Sequence, residues 1–150
     1  MSYPKKLADI ITLMEGLPEM ERRETLVAYA DQAKNQEPRE GEIFDFEDFR
    51  KDQECTDSVG IYLKADQEGR CHFRVKLGPQ VQTLTRAMSS ILCKGLDGLT
   101  LEELQAVPQD FVPKIVGAEL VRIRSHTVYY LLTRMKTAAM VWEKRKRQAV

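Results

Sequence analysis

The sequence has little cysteine, little histidine and no long apolar run, and each shortage removes a class of function. No stretch is apolar over the length of a bilayer-spanning helix, so no transmembrane helix is expected. The three cysteines, Cys55, Cys71 and Cys93, are odd in number, and none belongs to a Cys-x-x-Cys pair. That pattern argues against a disulfide framework and for a reducing compartment. The two histidines, His72 and His126, are far apart and fit no zinc-finger spacing. There is no Gly-x-Gly-x-x-Gly or Gly-Lys-Ser/Thr string to cradle phosphate, and no Gly-x-Ser-x-Gly nucleophile elbow. The opening Met1-Ser2-Tyr3-Pro4-Lys5-Lys6 leads directly into an amphipathic pattern without an apolar signal core, so a cytoplasmic address is expected.

Net charge is also missing, but its zero hides an asymmetry. Residues 1–68 hold 9 basic and 17 acidic side chains, and residues 69–150 hold 14 and 6. Such a chain either docks on a charged partner or folds its two halves against one another. The basic run Lys144-Arg145-Lys146-Arg147 suits the C-terminal end of a helix dipole, and the chain as a whole is not basic. Nucleic acid is therefore not an expected partner.

What is present is a chain of 150 residues, 43% hydrophobic and 31% charged, the size and composition of one domain spanning 1–150. Leu7, Ile10, Ile11 and Met14 fall on one helical face, predicting a helix from about Pro4 to Glu15 with Ser2 as its cap and Gly16 as its end. A second helix is predicted from about Pro18 to Ala33, with Leu26, Val27 and Ala30 inward. Lys34 to Gly41 reads as a polar loop. An aromatic patch follows, Ile43, Phe44, Phe46 and Phe49, on a short strand ending just before Cys55.

After Cys55 the period is two. Val59, Ile61 and Leu63 share a face, then Cys71, Phe73, Val75 and Leu77, with Arg70, His72, Arg74 and Lys76 pointing the other way. Ala65 to Gly69 is the expected hairpin loop. From Gln80 the period turns helical through Val81, Leu84, Met88, Ile91 and Leu92 to Gly95. Thr100 and Glu103 form a capping-box pattern. Pro108 and Pro113 bracket a short element around Phe111, and a last helix starts near Ser125 with Val128, Leu131, Leu132, Met135, Ala138 and Trp142 inward. Strands and helices are segregated, so the expected fold is α+β, a small antiparallel sheet of about three strands packed with helices.

Cys71 and Cys93 sit in phase with apolar neighbours and read as small core residues. Cys55 sits in a polar stretch, Arg50-Lys51-Asp52-Gln53-Glu54-Cys55-Thr56-Asp57, where a side chain can reach solvent or a partner. Its acidic neighbours Asp52, Glu54 and Asp57 raise a thiol pKa while Arg50 and Lys51 oppose them, so it reads as an acceptor thiol more than a self-activated nucleophile. A metal set folded from Cys55, His72 and His126 is a further reading, as is a partner-independent redox thiol.

The order of these features resembles the SufE family, whose Lys/Arg-x-x-Gly-Cys-x-Ser-x-Val-Trp segment precedes a hairpin. Here the segment runs Lys51-Asp52-Gln53-Glu54-Cys55-Thr56-Asp57-Ser58-Val59-Gly60. The basic residue, cysteine and valine match, whereas Glu54, Asp57 and Gly60 replace glycine, serine and tryptophan. Gly78-Pro79-Gln80-Val81 replaces an acidic Gly-Asp-Ser-Asp link. Gly98 to Leu104 is similar to the family's Thr-Pro-Glu-Glu-Ile turn, and Arg124-Ser125-His126 resembles its Arg-Ser-Asn.

The resemblance implies that Cys55 accepts persulfide sulfur from a PLP-dependent cysteine desulfurase of SufS type and passes it to an iron–sulfur scaffold. It also implies that Arg124 and Lys51 contact the desulfurase, and that this chain carries no cofactor of its own. The alternative is a SufE-like binding module that docks on a desulfurase and modulates it without carrying sulfur.

Overall fold

The computed structural model describes residues 3–52, of which 51 and 52 by backbone alone, and residues 57–148. The chain begins with two helices, α1 (Lys5–Glu15) and α2 (Glu19–Asp31), each preceded by a proline, Pro4 and Pro18. Proline suits that position because its fixed φ leads into a helix. Ser2, the expected cap of α1, lies outside the described residues. A 3₁₀ turn (Ala33–Gln36) occupies the start of the expected polar loop.

Strands β1 (Phe46–Asp52), β2 (Asp57–Ala65) and β3 (Arg70–Leu77) form an antiparallel meander, and the two-residue strand β4 (Leu99–Thr100) adds to the edge of β3. The sheet is therefore four-stranded, in the order β1-β2-β3-β4. Helix α3 (Thr83–Gly95) separates β3 from β4, and α4 (Leu101–Ala106), α5 (Val112–Val116) and α6 (Ala118–Gln148) follow. The fold is α+β. Gly69, at φ 77°, supplies the left-handed residue of the β2–β3 turn. Thr100 and Glu103 close their capping box at the head of α4.

The core lies between one face of the sheet and the helices. Val59, Ile61, Leu63, Cys71, Val75 and the largely buried Phe73 and Leu77 meet α3 and α6, while α1 and α2 pack on α3. Helix α3 is the central element, buried on nearly every side from Thr85 to Gly95. Gly95 lets it approach α1, since a Cβ there would stand 3.0 Å from Leu7 Cδ1. Leu7, Ile10, Ile11 and Met14 are buried together, each contributing about 1.5–3 kcal/mol of apolar burial.

Two expectations about packing fail. Val27 is 50% exposed although its neighbours Leu26 and Ala30 are buried, because α2 covers α3 with a narrow stripe. The aromatic patch is not a single cluster either. Ile43 is 83% and Phe49 54% exposed, Phe44 lies beside Tyr62, and Phe46 lies under the Arg145 guanidinium.

The strand register explains the scatter. Phe46, Asp48 and Arg50 pair with Leu63, Ile61 and Val59 and so share the core face, whereas Phe49 pairs with Gly60 on the outer face. The core face of β1 is thus partly charged, and α6 answers it with Arg134, which is 3% exposed. Arg134 donates to the Asp48 carboxylate at 3.3 Å, to the Asp48 carbonyl at 2.8 Å and to the Val59 carbonyl at 3.1 Å, with Tyr130 beside it.

The acidic and basic halves of the chain fold against one another. Arg134 pairs with Asp48, Arg74 with Glu42, Lys6 with Asp97, and His72 with Asp66. His72 lies between two carboxylates, 3.0 Å from Asp66 and 2.7 Å from Asp97. Asp66 above all, with Asp97, raises the His72 pKa above its usual value against the opposing effect of desolvation.

Two outcomes follow from these pairs. Arg134→Met removes the buried donor to Asp48, which keeps only the exposed Arg50 at 3.7 Å, and to two carbonyls, and urea unfolding should show a loss of about 2–3 kcal/mol, reduced from the fully buried case because Asp48 is 28% exposed. Arg134→Lys should recover only part of it, because an ammonium lacks the planar fork; full recovery would disprove the fork's role. A raised histidine pKa gives stability that is complete below the unfolded value of about 6.5 and fades as pH rises through the folded value. His72→Gln should therefore lower Tm more at pH 6 than at pH 9, and an equal loss at both would show that ionisation plays no part.

Candidate functional site

Of the sequence-predicted site residues, Cys55 lies outside the described residues, in the segment 53–56 between the paired ends Asp52 and Asp57 of the β1–β2 ladder. Lys51 is described by its backbone alone, opposite Ser58. Arg124 is fully described. The structure therefore shows the surroundings of the hairpin end and the Arg124 surface.

At the hairpin end, β2 is locked to the turn that follows β3. The Asp57 carboxylate accepts from its neighbouring Ser58 amide at 2.7 Å and from the Gln80 amide at 2.9 Å. Gly78 donates to the Ser58 carbonyl at 2.9 Å. A Cβ on Gly78 would fall 2.3 Å from the Asp57 carboxylate, so the glycine is required by that approach. From the other side Arg86 donates to the Gly78 carbonyl at 2.8 Å and the Val81 carbonyl at 3.1 Å. The turn's amide and carbonyl groups are thus held by one acid and one base.

Gly60, where the resemblance expected tryptophan, has a similar explanation. A Cβ there would lie 2.5 Å from Phe49 Cδ2 and 2.9 Å from Tyr62 Cε1. The Phe49 ring covers Gly60 across the strands, so the aromatic surface at this position comes from β1 instead of β2.

The turn at 78–82 continues into a groove of about 490 Å³ lined by Gln82, Thr83, Leu84 and Ala87, by Arg23, Leu26 and Val27 of α2, and by Leu120 and Arg124 of α6. Arg124 itself has non-helical backbone angles, φ −135° and ψ 34°, and marks a kink in α6. The helix expected from Ser125 is thereby the longer segment of α6, with Ala118 to Ile123 as a short lead-in. Arg124 is exposed, and among the described residues no carboxylate pairs with it. Arg23 shares the groove wall but is engaged with Glu19 at 2.8 Å.

The other two thiols are buried, Cys71 completely and Cys93 at 5% exposure on the wall of a separate cleft. Desolvation with help from Asp66 pushes the Cys71 pKa to about 11. Cys93 is pushed to about 12, again mainly by desolvation. At neutral pH neither presents an appreciable thiolate. His72 and His126 do not meet: His72 is held by two aspartates, and His126 lies against Tyr130. Among the described residues, no group of three His, Cys, Asp or Glu side chains is arranged to hold a metal, and no helix is long and apolar enough to cross a membrane.

Sequence reasoning missed Asp57 with its glycine partner, Arg86, and the buried Arg134. The last had a signal. Arg134 sits three residues after Leu131 and four before Ala138, on the apolar stripe of its helix, so it needed a buried acid somewhere in the fold.

Two solved structures share this architecture. A hypothetical protein from Thermus thermophilus, determined in solution, superposes with a TM-score of 0.69 at 21% identity, covering 95% of this chain and 99% of its own. The N-terminal part of a nitrogen-fixing NifU-like protein from Brucella abortus gives 0.60 at 18% identity, covering 79% and 92%. At these identities the likeness carries the fold alone. No curated protein matches the chain in sequence. A family model described as SufE, Fe-S metabolism associated domain, matches residues 8–139, from the second turn of α1 through most of α6. With the order of elements and most of its length accounted for in this way, the chain belongs to the SufE family of Fe–S metabolism associated domains.

Proposed function

We propose that this protein is a sulfur relay: Cys55 accepts sulfane sulfur from a PLP-dependent cysteine desulfurase, and the sulfur is passed to an iron–sulfur scaffold. The observation that carries the reading is the state of the other thiols. Cys71 and Cys93 are core residues with strongly raised pKa values, which leaves Cys55 as the thiol available for exchange. Family membership supplies the Fe–S context. A reducing compartment such as the cytoplasm suits a single working thiol.

The transfer is a thiol–disulfide type exchange. The Cys55 thiolate attacks the outer sulfur of the desulfurase persulfide, a new S–S bond forms at Cys55, and the partner's S–S bond breaks. The electron pair of the broken bond leaves on the desulfurase cysteine as thiolate, so there is no net oxidation. The pyridoxal cofactor that releases the sulfur from cysteine belongs to the partner. Asp57, Gly78 and Arg86 position the hairpin end without entering the chemistry. Arg124, at the kink and on the groove rim, is the desulfurase contact together with Lys51, and each meets a carboxylate of the partner.

Incubation with a cysteine desulfurase and free cysteine should add about 32 Da per sulfur to the intact mass, reversed by reductant and absent in Cys55→Ala. No gain on Cys55, with a desulfurase proven active on another acceptor, would refute the relay. Stimulation of the desulfurase that persists in Cys55→Ala would establish the non-transferring binding module instead. Arg124→Glu should weaken association at least tenfold, about 1.4 kcal/mol, without lowering the unfolding midpoint. An unchanged dissociation constant, measured by titration, would remove Arg124 from the interface.

A further inference from the structure

A second concave site lies well away from the hairpin end. Lys64 and His72 are direct partners across β2 and β3, and Tyr62 and Arg74 are the next such pair, so His72, Arg74 and Lys64 form a charged floor on the outer face of the sheet. Asp57 and Lys64 are seven steps apart along β2, which at about 3.3 Å per residue separates the two regions by roughly 23 Å. The walls come from other elements: Lys6 from α1, Lys94 from the end of α3, Asp97 beyond it, and Glu42 and Phe44 from the segment before β1. The cleft encloses about 570 Å³, within the range of small-ligand sites.

Its charge is unbalanced. Four permanent cations, Lys6, Lys64, Arg74 and Lys94, face two carboxylates, Glu42 and Asp97. Glu42 is shared between Lys64 at 2.9 Å and Arg74 at 3.3 Å, and Asp97 between Lys6 at 3.2 Å and His72 at 2.7 Å. Among the described residues, Lys94 has the neutral Gln32 amide oxygen and the Tyr29 ring as its partners and no carboxylate. Clustered like charge opposes compaction, so an anion bound among these cations would relieve it. One wall is aromatic: the Phe44 ring lies 5.2 Å from Tyr62 and 5.5 Å from the Lys64 ammonium.

We infer that this cleft binds a phosphorylated small molecule of nucleotide size, its phosphate among Lys6, Lys64, Arg74 and Lys94 and its planar ring against Phe44. The cations come from four elements, α1, β2, β3 and α3, so a phosphate bound among them ties the sheet to the helices. Binding therefore stabilises the fold by linkage. His72 adds to the attraction when protonated. Asp66 from the β2–β3 turn and Asp97 after α3 contact it directly, and Glu42, Lys64, Arg74, Lys6 and Lys94 line the same cleft.

The full-length protein should be titrated with AMP at constant ionic strength, with adenosine and added sodium chloride as comparisons, following Tm and amide NMR shifts. The expected result is a saturable rise in Tm with AMP alone and shifts centred on residues 64, 72, 74 and 94. A Lys6→Gln/Lys94→Gln double variant, altered only at exposed positions, should bind at least tenfold more weakly, whereas Cys55→Ala should bind as the native protein does. An equal effect from adenosine or chloride, shifts centred elsewhere, or native affinity in the double variant would overturn the inference.

Discussion

Arg134 is the constraint on which the arrangement of this molecule depends. It is a guanidinium with almost no exposure, held by the carboxylate and carbonyl of Asp48 and the carbonyl of Val59. Strand β1 is an edge strand, and its core face carries Asp48 and Arg50 where apolar residues would be expected. Apart from Phe46 under Arg145, Arg134 is what holds that face beneath α6. With it, three hydrogen bonds fix the long helix across β1 and β2 at one register. A buried ion pair is a poor source of net stability, since desolvation offsets much of its attraction. Its value here is geometric: it joins the β1–β2 hairpin to the helix that carries Arg124, ten residues away on the same element.

The same logic governs the hairpin end. The chain lacks the acidic link that the family resemblance leads one to expect after β3, and it carries Asp57 where serine was expected. In three dimensions these two departures meet, because the Asp57 carboxylate fills the space above Gly78 and caps the Gln80 amide. The acid that is absent from the link is supplied by the strand opposite it. Gly60 and Phe49 form a second compensated pair, in which the aromatic ring is presented by the neighbouring strand. Departures that compensate one another in this way keep β2 locked to the turn after β3.

Much of this was legible in the sequence wherever one residue's periodicity settled its own fate. The alternation from Val59 to Leu77, the helical spacing of Leu7 to Met14, and the Thr100–Glu103 capping box each describe local geometry, and the fold kept them. What failed depended on partners distant in sequence. Val27 fits the inward stripe of α2 by spacing, but α3 is not wide enough to cover it. Phe49 reads as part of an aromatic patch, yet its register with Gly60 turns it outward. Strand β4 is two residues long and exists because Arg70 and Cys71 pair with Thr100 and Leu99, which no local pattern announces. At the candidate site Cys55 was singled out by its polar position and by the family resemblance, and it lies outside the described residues, whereas the lock of Asp57, Gly78 and Arg86 required the register of β2 against the turn after β3.

The balance of charge in the chain is also resolved by its topology. The acidic first half and basic second half meet along the sheet, through Glu42, Asp48 and Asp66 on one side and Arg74, Arg134 and His72 on the other. Pairing consumes much of the asymmetry and leaves positive charge at Arg124 on the groove rim and around Lys94 in the cleft. These lie on different faces and differ in kind. The groove is shallow and largely apolar with arginine at its edge, which suits a protein surface bearing carboxylates. The cleft is concave and lined by cations from four elements, which suits a small anion. On the proposed reading, a desulfurase contact at the groove and a small anion in the cleft, roughly 23 Å along β2 from Asp57, would not compete for one surface.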